Sequence, residues 1–193
     1  MIGQDAGHVD AVNWAACICE RLDVLYLDTK TTGLGDRDEV LDIAVVDNAG
    51  RVLLDTLVKP RGSIPRDSIA IHGIDDAKVR DAPTWPDVYP LLTDLLRNYR
   101  HLVVYNADFD RRLIGQSCAA HALTPPLARW HCAMKRYAAF AGERNLRFGG
   151  YRWVNLGQAV QRLNVTVTPD HRAVSDTRAC RAVVRAMAGL SLI

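Results

Sequence analysis

The chain has 193 residues, of which 49% are hydrophobic and 24% charged, with a formal net charge of +2. That length suits one ordinary domain with its own core, and the composition is that of a soluble globular protein. No run of about 18 apolar residues occurs, which excludes a transmembrane helix and a membrane partner of that kind, while so small a net charge neither demands nor forbids nucleic acid.

The first residues carry acids and no basic start ahead of an apolar run, so they do not read as a secretory signal. The five cysteines (Cys17, Cys19, Cys118, Cys132 and Cys180) are odd in number and form no C-x-x-C pair. That pattern predicts reduced thiols and a cytoplasmic protein. Cys17 and Cys19 lack a second ligand pair at finger spacing, which argues against zinc.

In chain order, residues 1–9 read as a loose leader, and apolar positions at helical spacing predict a short helix over 10–21. Asp23–Asp28 is a compact apolar run ending at an acid, the pattern of a buried strand. The turn Thr31–Gly35 breaks it, Glu39–Asp47 begins a second strand, and Asn48–Gly50 turns the chain into a third over Arg51–Lys59. Short connections between three strands predict an antiparallel meander.

Beyond the loop Pro60–Pro65, Arg66–Arg80 reads as short helical turns. A clear helix starts around Thr84–Pro86, with Val88, Leu91, Leu92, Leu95 and Leu96 on one stripe and Thr84 as cap. His101–Asn106 is a buried strand, followed by a helix from Asp108 or Phe109 to about Ala122, with Asp108 as its cap. Arg129–Met134 is a candidate fifth strand, leading into a helix to about Ala141. Gly142–Trp153 is a polar loop, Asn155 caps a helix to Leu163, and the last helix covers Ala173–Ala188. A meander followed by strands alternating with helices predicts an α/β fold with a mixed sheet flanked by helices.

Four features carry chemical potential. Asp28 ends a buried strand, Asp110 lies in the first turn of a helix, and Asp176 lies early in the last helix, five residues after His171. Lys30 follows Asp28 by two residues and so shares its face in a strand. Singly, each aspartate is ordinarily a cap or turn former. Jointly they suit hard divalent ions, which prefer carboxylate oxygens. Two such ions about 4 Å apart hold the attacking and departing oxygens of a phosphodiester, and a histidine titrating near neutrality can take the proton of the attacking water.

Leu27-Asp-Thr-Lys-Thr-Thr-Gly-Leu34 resembles the first motif of the DnaQ-like (DEDDh) 3′-5′ exonucleases, ordinarily D-T-E-T-T-G-L. Tyr105-Asn-Ala-Asp-Phe-Asp110 resembles their second motif, and His171-Arg-Ala-Val-Ser-Asp176 matches the third, H-x-x-x-x-D. Ile71-His-Gly-Ile74 is similar to an element that the family places beside the substrate. The resemblance covers roughly residues 22–188, in family order, which sets an exonuclease domain at 22–190 behind a leader and helix at 1–21. It implies a ribonuclease H-like fold and two-metal removal of nucleotides from 3′ ends, with Mg²⁺ or Mn²⁺ as cofactor. It further implies Asp28, Asp110 and Asp176 as metal ligands and His171 as general base. Thr32, Gly33 and Leu34 would line the terminal-nucleotide pocket, with His72 and Asn106 near the substrate strand. The implied partners are single-stranded or 3′-end nucleic acid and a polymerase or repair complex.

Lys30 departs from that pattern, because the family places a metal-ligating glutamate there. Unit charges about 4 Å apart interact by about 4 kcal/mol at an effective dielectric of 20, so replacing −1 by +1 beside divalent ions weakens at least one of them. Three readings follow: a variant of an active parent, a natural protein using the ammonium in place of one metal's charge, or an end-binding module without catalysis. Glu39 and Asp42 are nearby acids able to compensate in part. Arg111, Arg112, Arg144, Arg147 and Arg152, interleaved with Tyr151 and Trp153, suit phosphate and base contacts; the same loop also reads as a solvated one with its aromatics tucked inward. His131 and Cys132 suggest a metal or thiol site, or a strand end packed into the core.

Overall fold

The computed structural model describes residues 6–190. Residues 1–5 of the expected leader lie outside that range. The first helix, α1 (Ala6–Glu20), starts earlier than the periodicity predicts and packs Ala11, Ala15 and Ile18 into the same core as the later helices. Its small residues allow close approach to its neighbours.

Five strands form one mixed sheet: β1 (Val24–Thr31), β2 (Val40–Asp47), β3 (Val52–Leu57), β4 (His101–Val104) and β5 (Arg129–Cys132). Their order is β3-β2-β1-β4-β5, the first three antiparallel and the β1–β4 and β4–β5 pairs parallel. This is the α/β architecture expected from the meander and the alternation after it.

β1 is longer than predicted. Its pairing with β4 ends at Leu27↔Val104, whereas its ladder with β2 continues through Lys30↔Asp42 to an irregularity before Thr31. The hairpin partner thus keeps Thr29, Lys30 and Thr31 extended beyond the apolar run, and of these turn chemistry alone assigns Thr31 to the break.

Strand alternation divides the core into two layers. Val24 and Tyr26 face α1, α5 (Ala133–Ala141) and α7 (Ala173–Met187). Leu25 and Leu27 face α3 (Trp85–Asn98) and α4 (Ala107–Ala120). A smaller cluster of Leu41, Ile64, Ile74 and Val79 lies under α2 (Arg66–His72), which stops at the left-handed Gly73 well short of Arg80. The helix α6 (Leu156–Arg162) begins at Asn155, whose side chain accepts from the Gln158 N–H as expected. Thr84 starts α3, and the Asp87 carboxylate accepts from both its backbone N–H and its hydroxyl. Asp108 is not a cap: α4 opens on Asn106, and Asp108 lies on its exposed face paired with Lys135.

β5 runs to Cys132 and hands directly to α5, with Trp130 and Cys132 against the core. His131 belongs to a half-buried polar chain with Trp14 and His101. Trp14 Nε1 donates to His131 Nδ1 at 3.4 Å, and His131 Nε2 meets His101 Nδ1 at 2.9 Å. Since the indole only donates, His131 accepts at Nδ1 and donates from Nε2, which fixes its neutral tautomer. Burial first, then the charges of His101 and Arg136, depress its pKa to about 4.

Candidate active site

β1 ends between the two helical layers, and that is what gathers the acids. Asp28 and Lys30 share the face of Val24 and Tyr26, toward α7, where Asp176 stands in the first turn. Thr29 faces the other layer, toward Asp110 in the first turn of α4. Its backbone N–H and hydroxyl both donate to Asp110 Oδ1, at 3.0 and 2.8 Å.

Asp28, Asp110, Asp176, Lys30 and His171 all line one cavity of about 270 Å³. Gly33, Leu34, His72 and Asn106 line it too, with Phe109, Tyr105, Ile71 and Ser68. Thr32 does not: it is buried, its hydroxyl donating to Asp38 Oδ1 at 2.6 Å and accepting from the Glu39 N–H. Asp38 also accepts from the Gly35 N–H at 2.6 Å, so Thr32 and Asp38 shape the turn that presents Gly33 and Leu34. A Cβ on Gly33 would lie 2.7 Å from the Asp38 carboxylate, so a side chain there would push that carboxylate off its bonds to Thr32 and Gly35.

Lys30 is the centre of the arrangement. Its Nζ donates to Asp28 Oδ2 and to Asp176 Oδ2, each at 2.6 Å. The three side chains are 13%, 15% and 9% exposed, so this is a buried bridge and not a surface pair. Burial alone would lower the Lys30 pKa, but Asp28 and Asp176 reverse the sign and hold the ammonium above its ordinary range. Burial raises Asp28 well above the usual carboxylate range, and repulsion from Asp110 and Asp176 adds to it against the pull of Lys30. Burial likewise pushes Asp110 up to about 6, with Thr29 and Lys30 opposing.

Glu39 and Asp42 offer Lys30 no compensation. Glu39 is engaged by Arg61 and lies near His121. Asp42, fully buried on β2, accepts from Arg172 Nε at 2.8 Å and from the Ala173 N–H at 3.1 Å. Asp42 therefore pins the N-terminus of α7, and with it the approach of His171 and Asp176. His171 itself is exposed and holds a left-handed backbone (φ 65) just before that helix, a conformation rare outside glycine and more tolerated by His than by branched residues. His72 accepts from the Ile74 N–H through Nδ1, and burial lowers its pKa.

Thr29, Asp38 and Asp42 are the site-building residues that motif matching passes over. Strand parity marks Thr29 as facing α4, but nothing local in sequence ties Asp42 to Arg172 across 130 residues.

The fit to a pair of divalent ions fails on one point. Asp176 Oδ1 is buried without a hydrogen-bond partner, as a ligand oxygen would be, but the Lys30 ammonium spans Asp28 and Asp176. Among the described residues, no three acidic, histidine or cysteine side chains stand where they could hold an ion between them. With Lys30 seated, the two-ion arrangement implied by the motifs does not fit.

Residues 25–184 match the family described as Exonuclease (RNase_T). The chain is 41% identical over 173 residues to an uncharacterized exonuclease, CP81, of Escherichia phage 186, covering 86% of this chain and 88% of that protein. Exonuclease X in complex with 5′ overhanging duplex DNA superposes with a TM-score of 0.62 at 28% identity, over 87% of this chain and 94% of that one. The nuclease domain of 3′hExo, a DEDDh family member bound to rAMP, shares the fold with a TM-score of 0.69 at 17% identity, over 86% and 92% of the two chains. Among the described residues no helix is long and apolar enough to cross a membrane. The matched span and the identity to CP81 make this chain a member of the exonuclease family, of the DnaQ-like kind within the ribonuclease H-like superfamily.

Proposed function

We propose that the protein acts on 3′ ends of nucleic acid as a 3′-5′ exonuclease, with its two-metal chemistry strongly weakened by Lys30. The observation that carries this reading is the convergence of Asp28, Asp110, Asp176 and His171 on a single cavity from β1, α4, α7 and the turn before α7. The related Exonuclease X was solved on a 5′ overhanging duplex, which presents a recessed 3′ end, so DNA of that form is the first substrate to test.

In this reading Gly33 and exposed Leu34 meet the terminal nucleotide at the cavity rim, with Phe109 and Ile71 as apolar neighbours. His171, exposed at the mouth, accepts the proton of the attacking water. Asp28, Asp110 and Asp176 are the acids at which the motif resemblance puts divalent ions, Mg²⁺ or Mn²⁺, and the Lys30 ammonium bridging Asp28 and Asp176 is what weakens that chemistry here. Asp42 holds the end of α7 in place so that His171 and Asp176 keep their spacing. A 3′-end clamp without turnover is the second reading, favoured by the ammonium bridging two of the three acids.

The test is release of 3′-labelled nucleotides from single-stranded and recessed-end DNA, and from matched RNA, in Mg²⁺ and Mn²⁺. Lys30→Glu should accelerate release by about 100-fold or more, since about 3 kcal/mol of regained stabilisation corresponds to that factor. Equal rates for the two proteins would contradict the impairment, and release from 5′ ends would contradict the polarity.

A further inference from the structure

We infer that the Lys30 ammonium is a resident cation of this site, standing in for one divalent ion, so that the protein takes up one ion fewer than it would with glutamate at position 30. The inference rests on the exonuclease reading above and deepens it. Its substance is the disagreement between this chain's residues and a two-ion site.

Three observations carry it. First, the ammonium is not loosely near the acids: it contacts Asp28 Oδ2 on β1 and Asp176 Oδ2 on α7 at the same 2.6 Å, reaching across 146 residues of sequence to the second. A cation shared by two carboxylates neutralises both, as a divalent ion between them would. Second, the lysine is placed by the strand itself. Lys30 is inside β1, paired with Asp42 and on the face of Asp28, so its stem runs toward α7. Third, Lys30 is the one cationic side chain paired with Asp28 and Asp176 among the described residues, and Arg172, just ahead of α7, is committed to Asp42.

An ammonium is a compact single charge with three donors and no acceptor. Seated between Asp28 and Asp176, it neutralises carboxylates without demanding a coordination sphere, and it repels a divalent ion from the same place. Asp176 Oδ1, buried and without a hydrogen-bond partner, is the oxygen that the ammonium leaves unsatisfied.

The experiment counts ions. Mn²⁺ binding to the full chain is measured by calorimetry and by electron paramagnetic resonance of free Mn²⁺, with and without an oligonucleotide ending in a 3′ phosphorothioate linkage. Lys30→Glu should bind one more Mn²⁺ per chain than the unaltered protein. Lys30→Gln, which removes the charge without adding one, should gain the same ion at least tenfold more weakly than Lys30→Glu, and it serves where the glutamate variant fails to fold. An unaltered protein that binds as many ions as both variants, with affinities within threefold, would overturn the inference. The outcome is separable from the functional reading. A gained ion in Lys30→Glu without nucleotide release leaves the substitution standing and removes the exonuclease; release with an unchanged ion count does the opposite.

Discussion

Replacing Lys30 by methionine tests the bridge through folding, independently of any ion or substrate. Methionine keeps the stem and removes the ammonium, leaving Asp28 and Asp176 without the donor that sits 2.6 Å from each. The side chains involved are 13%, 15% and 9% exposed, so solvent screening gives little relief. Removing one partner of a buried pair costs about 3–5 kcal/mol. The lower end applies here, because burial already raises Asp28 and lets its carboxyl take up a proton once the ammonium is gone.

That proton uptake gives the prediction its pH signature. A carboxyl whose folded pKa lies above its unfolded value of about 4 binds more protons in the native state. It therefore leaves stability intact below pH 4 and erodes it as pH rises through the folded pKa. Asp110 stands at about 6 and Asp28 is raised well above the ordinary range, in both cases by burial first. Lys30 holds both down, so its removal moves them further up and the loss grows with pH. Urea unfolding in EDTA should show Lys30→Met less stable by about 3 kcal/mol at pH 8 and by less than about 1.5 kcal/mol at pH 5. A loss under about 1 kcal/mol at pH 8, or one equal at both pH values, would refute the bridge as a buried, charged interaction.

Two further outcomes are expected. His131 has its pKa lowered from 6.5 to about 4, so its contribution is complete above pH 6.5 and is lost as pH falls through 4; His131→Gln should flatten about 1–2 kcal/mol of the acid-side decline measured by thermal or urea unfolding, the full shift being discounted for partial exposure. Arg147→Ala together with Arg152→Ala should weaken single-strand binding and reduce the slope of log affinity against log salt by about 1–2, read by fluorescence anisotropy across a salt series, and an unchanged slope would reject a role for this loop in gripping phosphates.

Much of the architecture was readable because local and global signals agree in this chain. The meander, the Thr84 start of α3, the Asn155 cap and the long amphipathic helix α7 all follow from spacing and capping residues, and each appears in place. What failed to read locally was decided by tertiary partners. β1 outruns its apolar run by three residues because β2 continues to pair with it. Asp108 has the chemistry of a cap, but the helix starts one residue before it and Lys135 takes its carboxylate. The loop 142–153 divides its aromatics: Tyr151 stacks under Arg144 and packs close to Gly7 of α1, while Phe148 and Trp153 are 79% and 63% exposed. No local pattern distinguishes those fates, because α1 lies far away in sequence.

Position 30 matters for a reason that strand geometry makes unavoidable. Alternation puts residues 28 and 30 on one face, and the packing of α7 puts Asp176 across from both. Whatever stands at 30 therefore enters the acidic cluster and sets its sign. With glutamate, carboxylates from β1, α4 and α7 converge without a counter-charge until cations arrive, and the stability of the fold becomes linked to ion concentration. With lysine, three carboxylates and one ammonium converge, and part of that linkage is built into the chain. Lysine at this position thus lets the site assemble with less help from solution. A fold that no longer depends on ions for this cluster should lose less stability to a chelator than its Lys30→Glu counterpart, and thermal unfolding with and without EDTA compares the two directly. A larger EDTA-induced drop in the unaltered protein than in Lys30→Glu would show that the ammonium neutralises nothing.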